Sequence, residues 1–357
     1  MFQPKFTSLI PSLLLVAATG TSAWSQFQLP EVRYGNRVPA EVQQIYDRGL
    51  QYLAQAQGED GSWGGTGRGA HGARGAGVTG MCVMVFLSNG EDPDYGKYSV
   101  NIRRALRHMI MSQDPRTGYL PASMYHHGFA MLGLSEAYGV VNDSALWDGS
   151  ENNRQRRTIG EALELGVRCA VTSQKNNRWG GWRYSPTDTT ADTSVSGAVL
   201  MGLLAARNAG IEVPDATIEK ALGYFRRSTS DKGMVAYSGG VGGFGTSMNR
   251  SSIGTLVYAI GKKKDWTEYK ATLEHITSRL DHNEQGYPFY FRYYMAQALF
   301  QGDYEAWEKW NEQLIEELKE LQRDDGSFTG NHGPAYATSM SLLSLALNYR
   351  LLPIYER

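Results

Sequence analysis

The chain has 357 residues, 41% of them hydrophobic and 20% charged, with 35 Lys and Arg against 36 Asp and Glu. That near balance excludes a basic surface built for nucleic acid and an acidic disordered tail, while the apolar content is that of a globular protein. The 41 glycines follow no collagen-like period and instead mark turns and close helix contacts.

Lys5 precedes the apolar run Leu9–Ala18, and Thr21 and Ala23 stand as in a small-x-small cleavage site. Residues 1–25 therefore read as an export signal of a secreted or periplasmic protein, with a retained anchor as the alternative. The run is short for a membrane span, and no other stretch is apolar enough, so the mature chain is not expected to be an integral membrane protein. Residues 26–39 read as an extended segment, 40–350 as one domain and 351–357 as a tail.

From Ala40 the pattern is helical. Val42, Ile45, Tyr46, Leu50, Leu53 and Ala54 form one stripe, with Glu41, Gln44, Asp47 and Arg48 opposite. The turn AQAQGEDGSWGG (Ala54–Gly65) follows, then the loop RGAHGARGAG, whose Arg68, His71 and Arg74 could gate a cavity mouth. A helix with few charges and many small residues starts near Gly77. The alternation recurs: turns around Gln113 and Gln174, degenerate turns after Ser228 and Asp281, and uncharged helices from near Tyr125, Asp192, Ser251 and Phe289. The last amphipathic helix sets Trp307, Trp310, Leu314, Leu318 and Leu321 against Glu316, Glu317, Lys319 and Glu320. It ends in ELQRDDGSFTG (Glu320–Gly330), and a final uncharged helix starts near Tyr336.

A helix that is apolar all round must be buried all round. Six amphipathic helices alternating with six buried ones predict an all-α fold of two concentric rings, an α6/α6 barrel. An open solenoid would want more uniform repeats and polar end caps. Gly80, Ala130, Gly133, Gly197, Ala198, Gly202 and Gly254 would let the inner backbones approach closely. Trp63, Trp179, Trp182 and Phe328 are expected to pack over the preceding outer helix, and Cys82 and Cys169 to be buried free thiols.

The Q…DGSW and Q…DGSF turns resemble the QW-type repeats of squalene and oxidosqualene cyclases. More broadly they resemble the prenyltransferase/squalene-oxidase repeat proteins, including secreted single-barrel members, from about Ala40 to Tyr349. The resemblance implies a toroid with a cavity opening at the N-terminal ends of the inner helices, and it specifies fold better than function. Protein prenyltransferases hold zinc with an Asp, a Cys and a His, but no Asp-x-Cys pair is present here. His126 and His127, adjacent on a helix, point about 100° apart and cannot easily share a metal. Neither a metal nor a cofactor is therefore expected. Of the cyclases' Asp-x-Asp-Asp-Thr-Ala signature, aligned on Thr190–Val195, only the middle acid remains, as Asp192. In those enzymes that acid is the proton donor.

Asp192 precedes a helix, where its carboxylate can cap free amides, a role that lowers a pKa. It is also the candidate ligand contact or catalytic acid, with Asp188 or Tyr184 as partner. Tyr125 and His127 are candidates at the second inner helix. Arg250, at the fourth, suits an anionic group or an ion pair to Asp192 or Asp188. Tyr290, Arg292, Tyr293 and Tyr294 at the fifth suit cation–π contacts, sugar stacking or core filling. The Gly-x-Gly-x-x-Gly of Gly240, Gly242 and Gly245, with Asp265 beyond it, lacks a βαβ unit and reads as a turn. Three functions stay open: binding of an isoprenoid or glycan in or over the cavity, a terpenoid cyclase using Asp192, and a polysaccharide lyase using Arg250, His127 and Tyr293.

Overall fold

A computed structural model describes residues 38–64, 75–150, 156–238, 247–282, 284 and 286–355. Contacts divide the chain into Met1–Arg37 and Val38–Arg357, and only the second unit is treated below. The export signal, the segment carrying Arg68, His71 and Arg74, and the glycines Gly240, Gly242 and Gly245 lie outside the described residues.

Among the described residues there are twelve α-helices and no strand. The outer ones are α1 (Ala40–Ala56), α3 (Ser99–Ser112), α5 (Ile159–Lys175), α7 (Asp215–Arg227), α9 (Thr267–Thr277) and α11 (Tyr304–Leu321). The inner ones are α2 (Ala76–Ser88), α4 (Met124–Ala137), α6 (Thr193–Asn208), α8 (Met248–Ile260), α10 (Pro288–Gly302) and α12 (Pro334–Leu345). Outer helices bury one stripe: α1 buries Val42, Ile45, Tyr46, Leu50 and Leu53. Inner helices bury nearly everything, and every residue of α2 is buried. Leu321 departs from its expected stripe and is exposed, because it ends α11 just before the turn.

Each inner helix packs on the next, α2 on α4 and onward to α12, which packs back on α2. The ring is closed. Its backbones touch at glycines: a Cβ on Gly133 would lie 2.6 Å from Gly80 Cα, and one on Gly202 would lie 2.6 Å from the Gly128 carbonyl oxygen. Cys82 and Cys169 are free and buried.

The repeat turns lock neighbouring hairpins together. Gln113 Nε2 donates to Gly118 O in its own turn and to Ala162 O on the next outer helix, both at 2.9 Å. Gln57, Gln174 and Gln322 make the same pair of bonds, to Gly61 and Asn101, Gly180 and Thr217, and Gly326 and Ile45. Gly61, Gly118, Gly180, Gly233 and Gly326 all have positive φ. A Cβ on any of them would strike a backbone carbonyl of the next outer helix, at Arg104, Leu165, Lys220, Ala271 and Arg48 respectively. The last of these joins α11 to α1, so the ring closes with the contact used inside it. In the fifth turn, nothing among the described residues lies within 4 Å of a would-be Cβ on Gly286. Trp63 and Trp182 donate to Leu53 O and Ala170 O on the preceding outer helix, as their positions predicted. Trp179 instead lies half-exposed under Arg178.

Beyond α12 the segment expected to be a tail joins the core. Leu352, Ile354 and Tyr355 are buried, and the Tyr355 hydroxyl reaches Tyr293 Oη at 3.4 Å and accepts from Gln297 Nε2 at 3.3 Å. Among the described residues no helix is long and apolar enough to cross a membrane.

Candidate functional site

Asp192 is the N-cap of α6, with extended backbone, and its Oδ1 accepts from Val195 N–H at 2.9 Å. Two loops hold it there. Asp192 N–H donates to Trp182 O of the third turn at 2.9 Å, and Thr193 N–H donates to Tyr237 O beyond the fourth turn at 2.9 Å. Between these loops the residue is fully buried. Its second oxygen, Oδ2, has no hydrogen-bond partner among the described residues. The capping role was expected to lower the pKa, but burial outweighs it. Desolvation raises the carboxyl to about 6, against the downward pull of the Val195 and Ser194 amides and the Arg183 charge, while Asp188 adds to the rise. Asp188 itself closes a turn by accepting from Ser185 N–H at 2.8 Å.

A wall of aromatic side chains stands beside Asp192. Tyr290 and Tyr294 are one turn apart on α10, with ring centroids at 4.7 Å, and Tyr293 meets Tyr294 at 4.9 Å. The helices α4 and α10 stand on opposite sides of the inner ring, yet their side chains meet. Tyr125 and Tyr290 centroids are 5.9 Å apart, and those of Phe129 and Tyr293 are 5.7 Å apart. Below them Tyr355 enters from the far end and contacts Tyr293. Aromatic rings from opposite inner helices thus meet across the toroid axis. Burial pushes the phenols of Tyr125, Tyr290 and Tyr294 well up, and the Asp192 charge contributes at Tyr290. The hydroxyls of Tyr290 and Tyr294 are buried; Tyr290 Oη lies close enough to Ser194 and Tyr294 to interact with both, but among the described residues neither hydroxyl makes a well-formed hydrogen bond.

Other sequence candidates are placed elsewhere. His127 faces outward against α5: its Nδ1 accepts from Leu120 N–H and its Nε2 donates to Gly166 O, both at 3.1 Å. With both nitrogens occupied and burial lowering its pKa to about 4, it is a neutral structural histidine. Arg292 also points outward, where Glu317 on α11 accepts from its Nε at 3.2 Å and from its Nη2. His127 lies two positions from Tyr125 and Arg292 one position from Tyr293, so closeness in sequence to the residues that meet across the axis was misleading. Arg250 is half-buried at the start of α8, near Tyr237 and Glu284, and burial lowers its pKa. Among the described residues it forms no ion pair with Asp192 or Asp188, because Glu284 is the acid that faces it.

Three contributors escaped the sequence reading. Tyr336 lies near Tyr125 and Tyr290, close enough to perturb both phenols. Arg183 acts on Asp192 while stacking on Tyr184 at 5.9 Å, and Tyr237 pairs its hydroxyl with Tyr184 at 3.4 Å. Superimposing the inner helix starts would have found Tyr336, since it opens α12 as Tyr290 opens α10. Nothing local in the sequence marks the other two.

These features belong to a widespread architecture. A variant of the type II terpene cyclase MstE from Scytonema, in complex with its substrate geranylgeranyl dihydroxybenzoate, superposes with a TM-score of 0.59. It shares 13% identity, over 87% of this chain and 98% of that one. An inactive variant of the α-1,6-mannanase GH76A of Salegentibacter sp. HEL1_6, bound to α-1,6-mannotriose, gives 0.62 at 9% identity over 86% and 99%. Both are α/α toroids. So is this chain. An α-amylase from Clostridium perfringens follows at 0.55 and 9% identity, over 85% and 97% of the two chains. No family model and no curated protein matches the sequence. At these identities the likeness establishes the fold, and the chemistry has to be argued from the residues.

Proposed function

We propose that this protein is a ligand-binding toroid that receives a hydroxylated ligand over its tyrosine-floored mouth, with Asp192 as the polar contact. The observation that carries this reading is the coincidence of aromatic rings meeting across the axis with three buried polar atoms beside them, Asp192 Oδ2, Tyr290 Oη and Tyr294 Oη, that lack a well-formed hydrogen bond among the described residues. A hydrocarbon seated there would leave Asp192 Oδ2 unpaired, at a cost of about 1–3 kcal/mol, and the two phenols with only their poorly aligned contacts. A ligand with ring hydroxyls or a carbonyl pairs them and lays its apolar faces on the phenol rings. The lyase alternative loses one of its candidate groups, since both His127 nitrogens are engaged with backbone, which leaves Tyr293 as its candidate base.

Acid catalysis is the second reading, favoured by the raised pKa of Asp192, which keeps a sizeable protonated fraction near pH 6. Thermal-shift and calorimetric titration with neutral oligosaccharides, and with squalene in detergent, tests both readings. Binding of a hydroxylated ligand that weakens about tenfold in Tyr290→Phe, the loss of one hydrogen bond, supports the first. In Asp192→Asn, whose amide still donates, binding persists if Asp192 only binds, whereas any turnover disappears if it transfers a proton. A response to squalene alone would overturn the reading. Export, argued from Lys5, the run Leu9–Ala18 and Ala23, belongs to the same proposal and suits a ligand met outside the cytoplasm.

A further inference from the structure

A second pocket lies where the repeat pattern fails. In five of the turns a glycine with positive φ seats the loop against the next outer helix, but in the fifth Gly286 makes no such approach. Between that turn and α11 is a cavity of about 170 Å³, lined by Leu280, His282, Phe291, Arg292, Trp310 and Glu317 among others. Its floor is apolar and aromatic: Phe291 meets Trp310 edge-on at 6.5 Å and His282 edge-on at 5.7 Å. Its rim is polar and planar. Glu317 holds the nearly buried Arg292 through two nitrogens, and the remaining Nη1 makes no hydrogen bond among the described residues. Asp281 and Gln313 complete the rim from either side.

We propose that this pocket is a binding site for one neutral sugar ring, separate from the central mouth and independent of the reading given to it. The volume is below the roughly 300–1,000 Å³ of sites for drug-sized ligands, so a single ring is the fitting size. An aromatic floor matches the C–H face of a pyranose. Side-by-side acceptors and donors in fixed planes match vicinal hydroxyls, each able to donate and accept. The charges favour a neutral ligand: Arg292 is already balanced by Glu317, and Asp281 leaves the rim acidic, so an anion is repelled.

The test is saturation-transfer NMR on the full chain with methyl α-mannopyranoside, methyl β-glucopyranoside and glucuronate. Gln313→Trp fills the pocket from an exposed position on α11 and leaves the buried ion pair intact. The expected result is transfer to at least one neutral glycoside, with affinity falling about tenfold or more in Gln313→Trp and unchanged in Tyr95→Ala, an exposed side chain in the loop between α2 and α3. Three outcomes would overturn the proposal: no transfer to either neutral glycoside, transfer unaffected by Gln313→Trp, or stronger binding of glucuronate. Loss of transfer in Tyr290→Phe alone would move the sugar to the central mouth and likewise refute the pocket.

Discussion

Asp192 performs two tasks that pull its proton in opposite directions. Capping α6 favours the carboxylate, and burial between Trp182 and Tyr237 favours the acid; burial prevails. A folded-state pKa raised from 3.8 to about 6 means that its stabilising contribution is complete below 3.8 and lost as pH rises through 6. The full effect is roughly 3 kcal/mol. Asp192→Asn keeps the cap, so urea unfolding should show the variant losing this slope and exceeding the wild type in stability above about pH 7. His127 works in the reverse sense. Its pKa, lowered from 6.5 to about 4, gives stability that is complete above 6.5 and lost as pH falls through 4. Its ring resonances should not titrate between about pH 5 and 8 if both nitrogens stay engaged. The cap was legible because an Asp before an apolar helix is a local signal. The pKa was not, because the burial of Asp192 depends on the loop carrying Tyr237, which comes from the next repeat, closing over the turn that carries Trp182.

At the scale of the elements, the repeat turn is a latch made of one glutamine and one glycine. Gly118→Ala would force a Cβ to 2.0 Å from the Leu165 carbonyl at a φ of +77°. It should cost about 2 kcal/mol or more. The matching change Gly286→Ala meets nothing and should stay within about 0.5 kcal/mol of wild type. Gln113→Ala, losing both of its hydrogen bonds, should fall between the two at about 1–3 kcal/mol. Chemical denaturation of the three variants measures the difference directly. The helices and turns were readable because each repeat states them again, with charged faces marking the outer ring and uncharged helices the inner one. Which inner residues face the axis was less readable. On a helix buried all round, Tyr293 and Arg292 look equally internal, and only the partners across the ring and on α11 separate them.

The unit Val38–Arg357 is a ring whose axis receives side chains from both ends, tyrosines of the inner helices and the C-terminal Tyr355. Closure was legible from the six-fold alternation. The filling was not, because periodicity reports that a face is buried without naming what it meets. Ending the chain after Leu351 removes Leu352, Ile354 and Tyr355 from the core, and should lower stability by about 3 kcal/mol or more. Calorimetry would register this as a lower Tm, and Tyr293 should gain solvent exposure in tyrosine fluorescence.

A closed ring also has a weakest link, and here it is not where the chain ends. The junction of α11 with α1 carries the full latch, whereas the fifth turn lacks its glycine contact and the adjoining α9 buries only Tyr269, Thr272 and Ile276. When the native protein breathes, it should open at α9, well away from its termini. Amide exchange there should be the fastest of any helix and should proceed without global unfolding.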